Sequence, residues 1–183
     1  MSLDILLGPM FAGKSTRILS IISRYAALDT PVLVIKHASD VRYSRNEITT
    51  HNNQRAPCIA VRDLGDVQLE DILRFKVLIV DEAQFFQNLV PFVEWVVDTH
   101  KKHLYLVGLD GDSNRRSFES DLLKCIPLAD SVEKLTAFCR RCADGTPGIF
   151  TYRHSGPHDQ QVIVGGSELY STLCRKCYLR QEN

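Results

Sequence analysis

No charge of either sign predominates in this chain: 22 Lys and Arg stand against 22 Asp and Glu over 183 residues, a formal net charge of zero. Without a basic excess there is no sequence-independent hold on nucleic acid or on an anionic bilayer, and neither partner is expected. Long hydrophobic runs are missing as well. The longest, residues 32–35 and 77–80, fall far short of the roughly 20 apolar residues that span a membrane. Met1-Ser2-Leu3-Asp4 carries an acid where a secretory leader has a basic region, so the expected location is the reducing cytoplasm. There is no internal repeat and no low-complexity tract, which excludes solenoids and arrays. What is present, 44% hydrophobic and 24% charged residues, suits one globular domain with at most a small appendage and excludes global disorder.

Residues 3–7 form a short apolar run that stops at Gly8, as a buried strand does. A helix is expected over residues 15–28, where Ile18, Leu19, Ile21, Ile22 and Tyr25 recur at helical spacing before Asp29-Thr30-Pro31. Residues 32–36 and 77–80 read as further buried strands, the second running straight into Asp81-Glu82. Residues 89–103 have a helical pattern with Pro91 in the first turn, and residues 104–107 make another strand, ending at Gly108. The polar stretch 37–55 has no sustained period and is expected to be an excursion or loop. Strands alternating with helices predict an α/β fold with a mostly parallel sheet covered on both faces and ligands beyond the strands' carboxyl ends. Past residue 135 glycine, proline, histidine and arginine become frequent. The expected division is a core over residues 1–136 and a small lobe over 137–183.

Gly8-Pro9-Met10-Phe11-Ala12-Gly13-Lys14-Ser15 satisfies the phosphate-loop pattern G-x-x-x-x-G-K-[ST] between an expected strand and helix. Its glycines let successive N–H groups face an anion, the helix N-terminus adds positive character, Lys14 can neutralise β/γ-phosphate oxygens and Ser15 can ligate Mg²⁺. Asp81, at the end of a buried strand, can hold that magnesium through its water shell. Glu82, pointing elsewhere, is suited to position an acceptor hydroxyl and remove its proton.

Cys139/Cys142 and Cys174/Cys177 form two Cys-x-x-Cys pairs separated by 31 residues. In a reducing compartment the expected occupant is a structural, tetrahedral Zn²⁺, with a redox pair or unbound thiols as alternatives. Cys58 and Cys125, each near proline and apolar residues, are expected to be small buried hydrophobes. Between the pairs lies Gln161-Val162-Ile163-Val164-Gly165-Gly166-Ser167-Glu168-Leu169-Tyr170. This stretch reads equally well as a lid over a planar ligand or as a β-hairpin with Tyr170 packed on its own lobe.

Taken in order, the segment Gly8 to Thr16, Asp40-Val41-Arg42-Tyr43-Ser44, Asp81-Glu82-Ala83-Gln84-Phe85-Phe86, Leu109-Asp110-Gly111 with Phe118, both cysteine pairs, and Gly165-Gly166-Ser167-Glu168-Leu169-Tyr170 resemble the zinc-containing, type II thymidine kinases across nearly the whole chain. The resemblance implies a recombinase-like P-loop NTPase core with a zinc-held lasso, often a homotetramer. The implied reaction moves the γ-phosphate of ATP to the 5′-hydroxyl of thymidine, with Mg²⁺, and thymidine triphosphate is the implied feedback inhibitor. By position, Glu82 would be the base, Arg42 and Lys14 would stabilise the transferring phosphate, and Gly8 to Thr16, Asp40, Arg42, Asp81 and Gln84 would serve the phosphate donor and magnesium. Met10, Phe85, Leu109, Phe118, Thr151, the backbone of Gln161, Val162, Ile163, Val164 and Gly165, and Tyr170 would form the nucleoside pocket.

The chain departs from the family at three places. Ser113 stands where many relatives carry an aromatic residue, which leaves base stacking to Phe118 and the distinction between thymidine and deoxyuridine open. Gln161 takes a usually apolar lasso position, and only six residues follow Cys177. Two other classes compete with a kinase: an ATPase or helicase core, in which Glu82 would orient water, and a zinc-stabilised nucleotide-binding module without turnover.

Overall fold

The computed structural model describes residues 1–39, 47–49, 55–157 and 160–180. The phosphate-loop order is present as read: β1 (Ser2–Leu7), a loop, and α1 (Lys14–Ala26), followed by β2 (Val32–His37). The helix ends two residues earlier than its apolar period suggested, because residues 27–29 already turn toward Pro31. The polar excursion is not structureless. Its β3 (Glu47–Thr49) pairs antiparallel with β4 (Arg55–Pro57) at its end, and beyond it β5 (Ile59–Val61) adds to the main sheet beside β2. Three-residue strands are too short to show a period.

After the short helix α2 (Leu69–Arg74) come β6 (Val77–Asp81) and the helix α3 (Leu89–Val93), which continues as a π-helical stretch over Glu94–Thr99 instead of as one regular helix to residue 103. The next two strands are β7 (His103–Gly108) and β8 (Ser131–Lys134). Strand order in the 6-stranded sheet is β5-β2-β6-β7-β1-β8. Every neighbouring pair in it is parallel.

Alternate residues of each strand serve opposite layers. Leu6, Val34, Ile79 and Val107 pack on Ile18 and Ile21 of α1. Leu3, Ile5, Ile35, Leu78, Val80, Leu104 and Leu106 face the other way, onto Ile72, Leu89, Phe92 and Val96. This two-sided burial explains the uninterrupted apolar runs of the central strands. Parallel register also brings the carboxyl ends of β6, β7 and β1 side by side, so the loops after Leu7, Asp81 and Gly108 converge at one edge.

The remainder is built from small pieces: β9 (Ala137–Phe138) with β10 (Pro147–Gly148), β11 (Phe150–Arg153) with β12 (Tyr170–Leu173), and the short helix α4 (Arg175–Leu179). Their apolar cluster holds Cys139, Leu173, Cys177 and Tyr178, with Phe150 and Tyr152 against them. So few side chains give little hydrophobic stabilisation of their own, the condition under which small units draw on a metal or another cross-link. No helix among the described residues is long and apolar enough to cross a membrane.

Candidate active site

A cavity of about 530 Å³ opens at the convergent edge. Met10, Phe11, Gly13, Lys14, Ser15 and Thr16 line it from the loop after β1. Gly13 sits in the left-handed region (φ 79°) and starts α1, whose first turn has neither a capping side chain nor an acid. Gly13 brings no side chain to cap the first N–H groups, and a helix start of this kind suits an anion. Lys14 Nζ lies over the loop, donating to the carbonyls of Gly8 (3.0 Å) and Pro9 (2.7 Å). Gly8, Pro9 and Ala12 shape the turn without lining the cavity. A Cβ at Gly8 would stand 2.6 Å from the carbonyl oxygen of Leu135, so this close approach requires glycine.

Asp81 and Glu82 both reach the cavity and both are buried. Glu82 has a left-handed backbone (φ 53°), uncommon for a residue with a side chain. That conformation breaks the strand abruptly and frees the second carboxylate from the alternation of β6. The Glu82 N–H donates to Asp81 Oδ1 at 2.9 Å, fixing the first carboxylate relative to the second.

Gln84 occupies a different position from the one its expected phosphate role implied. It is buried and does not line the cavity; its Nε2 donates to Glu82 Oε2 at 2.6 Å while its Oε1 accepts from Leu109 N–H at 2.9 Å. It therefore links the carboxylate after β6 to the loop after β7. Room for it comes from Gly108, where a Cβ would lie 2.7 Å from Gln84 Oε1. Gln84→Leu removes both the buried donor to Glu82 and the acceptor of the part-buried Leu109 N–H, so urea denaturation should show a loss of about 1–3 kcal/mol.

Phe85, Leu109 and Phe118 line an apolar part of the cavity, with the Phe85 and Phe118 rings 6.0 Å apart edge to face. Opposite them stand Thr151, Gln161, Val162, Ile163, Val164, Gly165 and Tyr170. The 160–169 stretch contains no strand. It joins the antiparallel strands β11 and β12, so the segment has a hairpin's frame with Tyr170 buried in β12, while residues 161–165 line the cavity as a lid would. Tyr170 OH donates to the Ile163 carbonyl at 2.6 Å, and Thr151 Oγ1 accepts from Met10 N–H at 3.1 Å, so this region touches the phosphate loop directly. Asp40 and Arg42, with Val41, Tyr43 and Ser44, lie outside the described residues.

The cavity also has walls the sequence reading left out. Ser39, Glu47 and Ile48 contribute from the excursion, where no periodic signal marks them. From the loop after β7 come Gly111 and Ser113, both already marked in the sequence, and Asp112, which was not. Asp112 Oδ1 accepts from the N–H groups of Asn114 and Arg116, both at 2.8 Å, a local turn for which Asp and Asn near glycine are the available signal. Asp110 turns away to an ion pair with Lys134 at 2.6 Å.

Away from the cavity, Cys139, Cys142, Cys174 and Cys177 place their four sulfurs within 4.8 Å of one another. Cys142 Sγ is 3.8 Å from Cys174 Sγ and 3.5 Å from Cys177 Sγ. Four thiolates at 2.3 Å from a tetrahedral zinc stand roughly 3.8 Å apart, whereas a disulfide needs about 2.05 Å. Burial alone would raise the Cys139 thiol, but backbone N–H groups of Cys174, Cys142 and Arg141 bring it down to about 6, whereas Cys142 goes up and its closeness pushes Cys177 up to about 12, so that four thiolates side by side call for a cation. The residues fit a closed, structural metal centre. Cys58 is half-buried against the α1 layer, and burial, helped by the charge of Asp121, pushes Cys125 up to about 11.

A family model described as thymidine kinase matches residues 1–178. The chain belongs to the thymidine kinase family. Thymidine kinase of Yaba monkey tumor virus is 38% identical over 182 residues, covering 99% of this chain and 96% of the relative. Thymidine kinase a of Arabidopsis thaliana is also 38% identical, covering 97% and 75%, and cytosolic thymidine kinase of Bos taurus is 35% identical, covering 98% and 72%. The family match spans the phosphate loop, the residues that line the cavity and the cysteine cluster.

Proposed function

We propose that this protein is a thymidine kinase of nucleoside salvage for DNA synthesis. It transfers the γ-phosphate of ATP to the 5′-hydroxyl of thymidine, and of deoxyuridine, to give the 5′-monophosphate. One observation carries the reading: a buried carboxylate, Glu82, sits in the same cavity as a complete phosphate loop and a main-chain lasso. A nucleoside held by the lasso has its sugar directed toward Glu82, and a phosphate donor on the loop has its terminal phosphate on the other side.

In this arrangement Gly8 to Thr16 cradle the triphosphate through N–H groups at the start of α1, and Lys14 turns from its carbonyls to the β/γ oxygens. Magnesium, when bound, neutralises phosphate charge; Ser15 and Asp81 are the residues to hold it, the second through water. Asp40 and Arg42 serve the phosphate donor, Arg42 as a permanently charged group that stabilises charge on the transferring phosphate, while Gln84 acts from behind by holding Glu82. Glu82 holds the 5′-hydroxyl by hydrogen bond and takes its proton as the oxygen attacks the γ-phosphorus and the bond to the β,γ-bridging oxygen breaks, releasing ADP. Met10, Phe85, Leu109, Phe118, Thr151 and Tyr170 enclose the base and sugar, and the 161–165 backbone reads the base edge.

Structural Zn²⁺ on Cys139, Cys142, Cys174 and Cys177 closes the lasso-bearing lobe, 137–183, on itself beside the core, 1–136. A cytoplasmic homotetramer inhibited by thymidine triphosphate accompanies the reading. Presenting thymidine, deoxyuridine, deoxycytidine and deoxyguanosine in turn with Mg²⁺-ATP tests it. Thymidine and deoxyuridine should yield 5′-monophosphates, located by ³¹P NMR; product from deoxyguanosine alone would overturn the acceptor assignment.

A further inference from the structure

The lasso is held by side chains in two distinct ways. Within its own hairpin, Arg153, only 2% exposed, donates to the carbonyls of Pro157 and Gln160, and Tyr170 OH donates to Ile163. Those contacts shape the loop but leave its distance from the core unset. Among the described residues one lasso side chain hydrogen-bonds across to the core: Gln161 Nε2 lies 3.2 Å from Asp112 Oδ2 and 3.0 Å from the Ser117 carbonyl oxygen. Both partners are acceptors, so only the NH₂ end of the amide satisfies them, one hydrogen to each. Asp112 is a rigid anchor. Its side chain is 1% exposed, two backbone N–H groups hold Oδ1, and Arg116 Nε lies 3.1 Å from Oδ2.

We propose that Gln161 is a positioning residue for the nucleoside, a latch that fastens the 161–165 backbone to the 112–117 loop and so sets the width of the pocket between them. This rests on the reading that the nucleoside occupies that cavity. Main-chain recognition makes such a latch necessary, because backbone groups specify a ligand only when the backbone is fixed. The interaction is one of donor and acceptor, not of volume. A side chain at position 161 should therefore rank by what it can donate: Lys can serve both acceptors, Met neither, and Glu sets a second carboxylate against Asp112.

The test uses Gln161→Lys, Gln161→Met and Gln161→Glu, which are close in size. Gln161→Met should raise the KM for thymidine roughly tenfold, with Gln161→Glu higher still and Gln161→Lys near the parent. The KM for ATP and kcat should stay unchanged in all of them. Hydrogen exchange without nucleoside should show faster exchange of the 161–165 amides in the Met and Glu variants only. Equal exchange in all four proteins, or a rise in KM shared by ATP, overturns the latch. Parent protein that phosphorylates no nucleoside overturns the functional reading instead, and the exchange ranking still decides the latch by itself.

Discussion

Glu82→Gln should fold as the parent does and lose turnover with thymidine by about 10²–10⁴-fold, the range for removing a general base. The expectation that folding survives comes from the surroundings of the carboxylate. Glu82 Oε2 accepts from Gln84 Nε2, and the carbonyl of an introduced glutamine can accept the same hydrogen. The amide cannot take a proton from an attacking hydroxyl, so the loss should fall on kcat, while the KM for ATP, governed by the loop after β1, changes little. Pre-steady-state quench flow with thermal melting separates the two effects. A variant with parental kcat would mean that Glu82 is a packing element of the Gln84 bridge.

Removing the metal should be nearly as damaging, through a different route. Structural zinc supplies on the order of 10 kcal/mol of folding energy in small metal-dependent units, and the cluster around Cys139 and Leu173 is too small to replace it. Cys177 starts the path to the pocket. Beside it, Tyr178 donates its buried hydroxyl to the Ser113 carbonyl at 2.6 Å, and the Arg115 guanidinium lies 4.6 Å over the Tyr178 ring. Loss of the clip releases this contact together with β12, which carries Tyr170. Misplacement of about 1 Å costs roughly 10²-fold in rate, so Cys142→Ser should lose at least that much. Elemental analysis should give one zinc per parent chain and none in the variant. A variant without zinc but with full activity would show that the cysteine cluster is not what orders the lasso.

These two predictions rest on residues of unequal visibility in the sequence. The phosphate loop, Glu82 and the cysteine pairs are contiguous patterns whose chemistry is fixed by local spacing, and the parallel sheet follows from apolar runs buried on both faces. Residues that work through non-local contact were not legible. Gln84 carries no mark of standing behind Glu82; only the missing Cβ at Gly108, 24 residues later, makes the place for it. Asp112 reads as a turn residue, and its role as the anchor for Gln161 depends on a separation of 49 residues. Glu47 and Ile48 lie in a strand of three residues, too short for any period to show. The π-helical stretch after α3 likewise has the apolar spacing of an ordinary helix and differs only in its backbone bonds.

The coupling of donor to acceptor tests the central claim most directly. Purified protein would be incubated with Mg²⁺-ATP, with and without thymidine, and ADP and thymidine 5′-monophosphate counted in the same samples. A kinase built around Glu82 gives ADP only when thymidine is present, mole for mole with the monophosphate. ADP released at the same rate without nucleoside, and no monophosphate in any sample, would contradict it and leave a carboxylate that activates water.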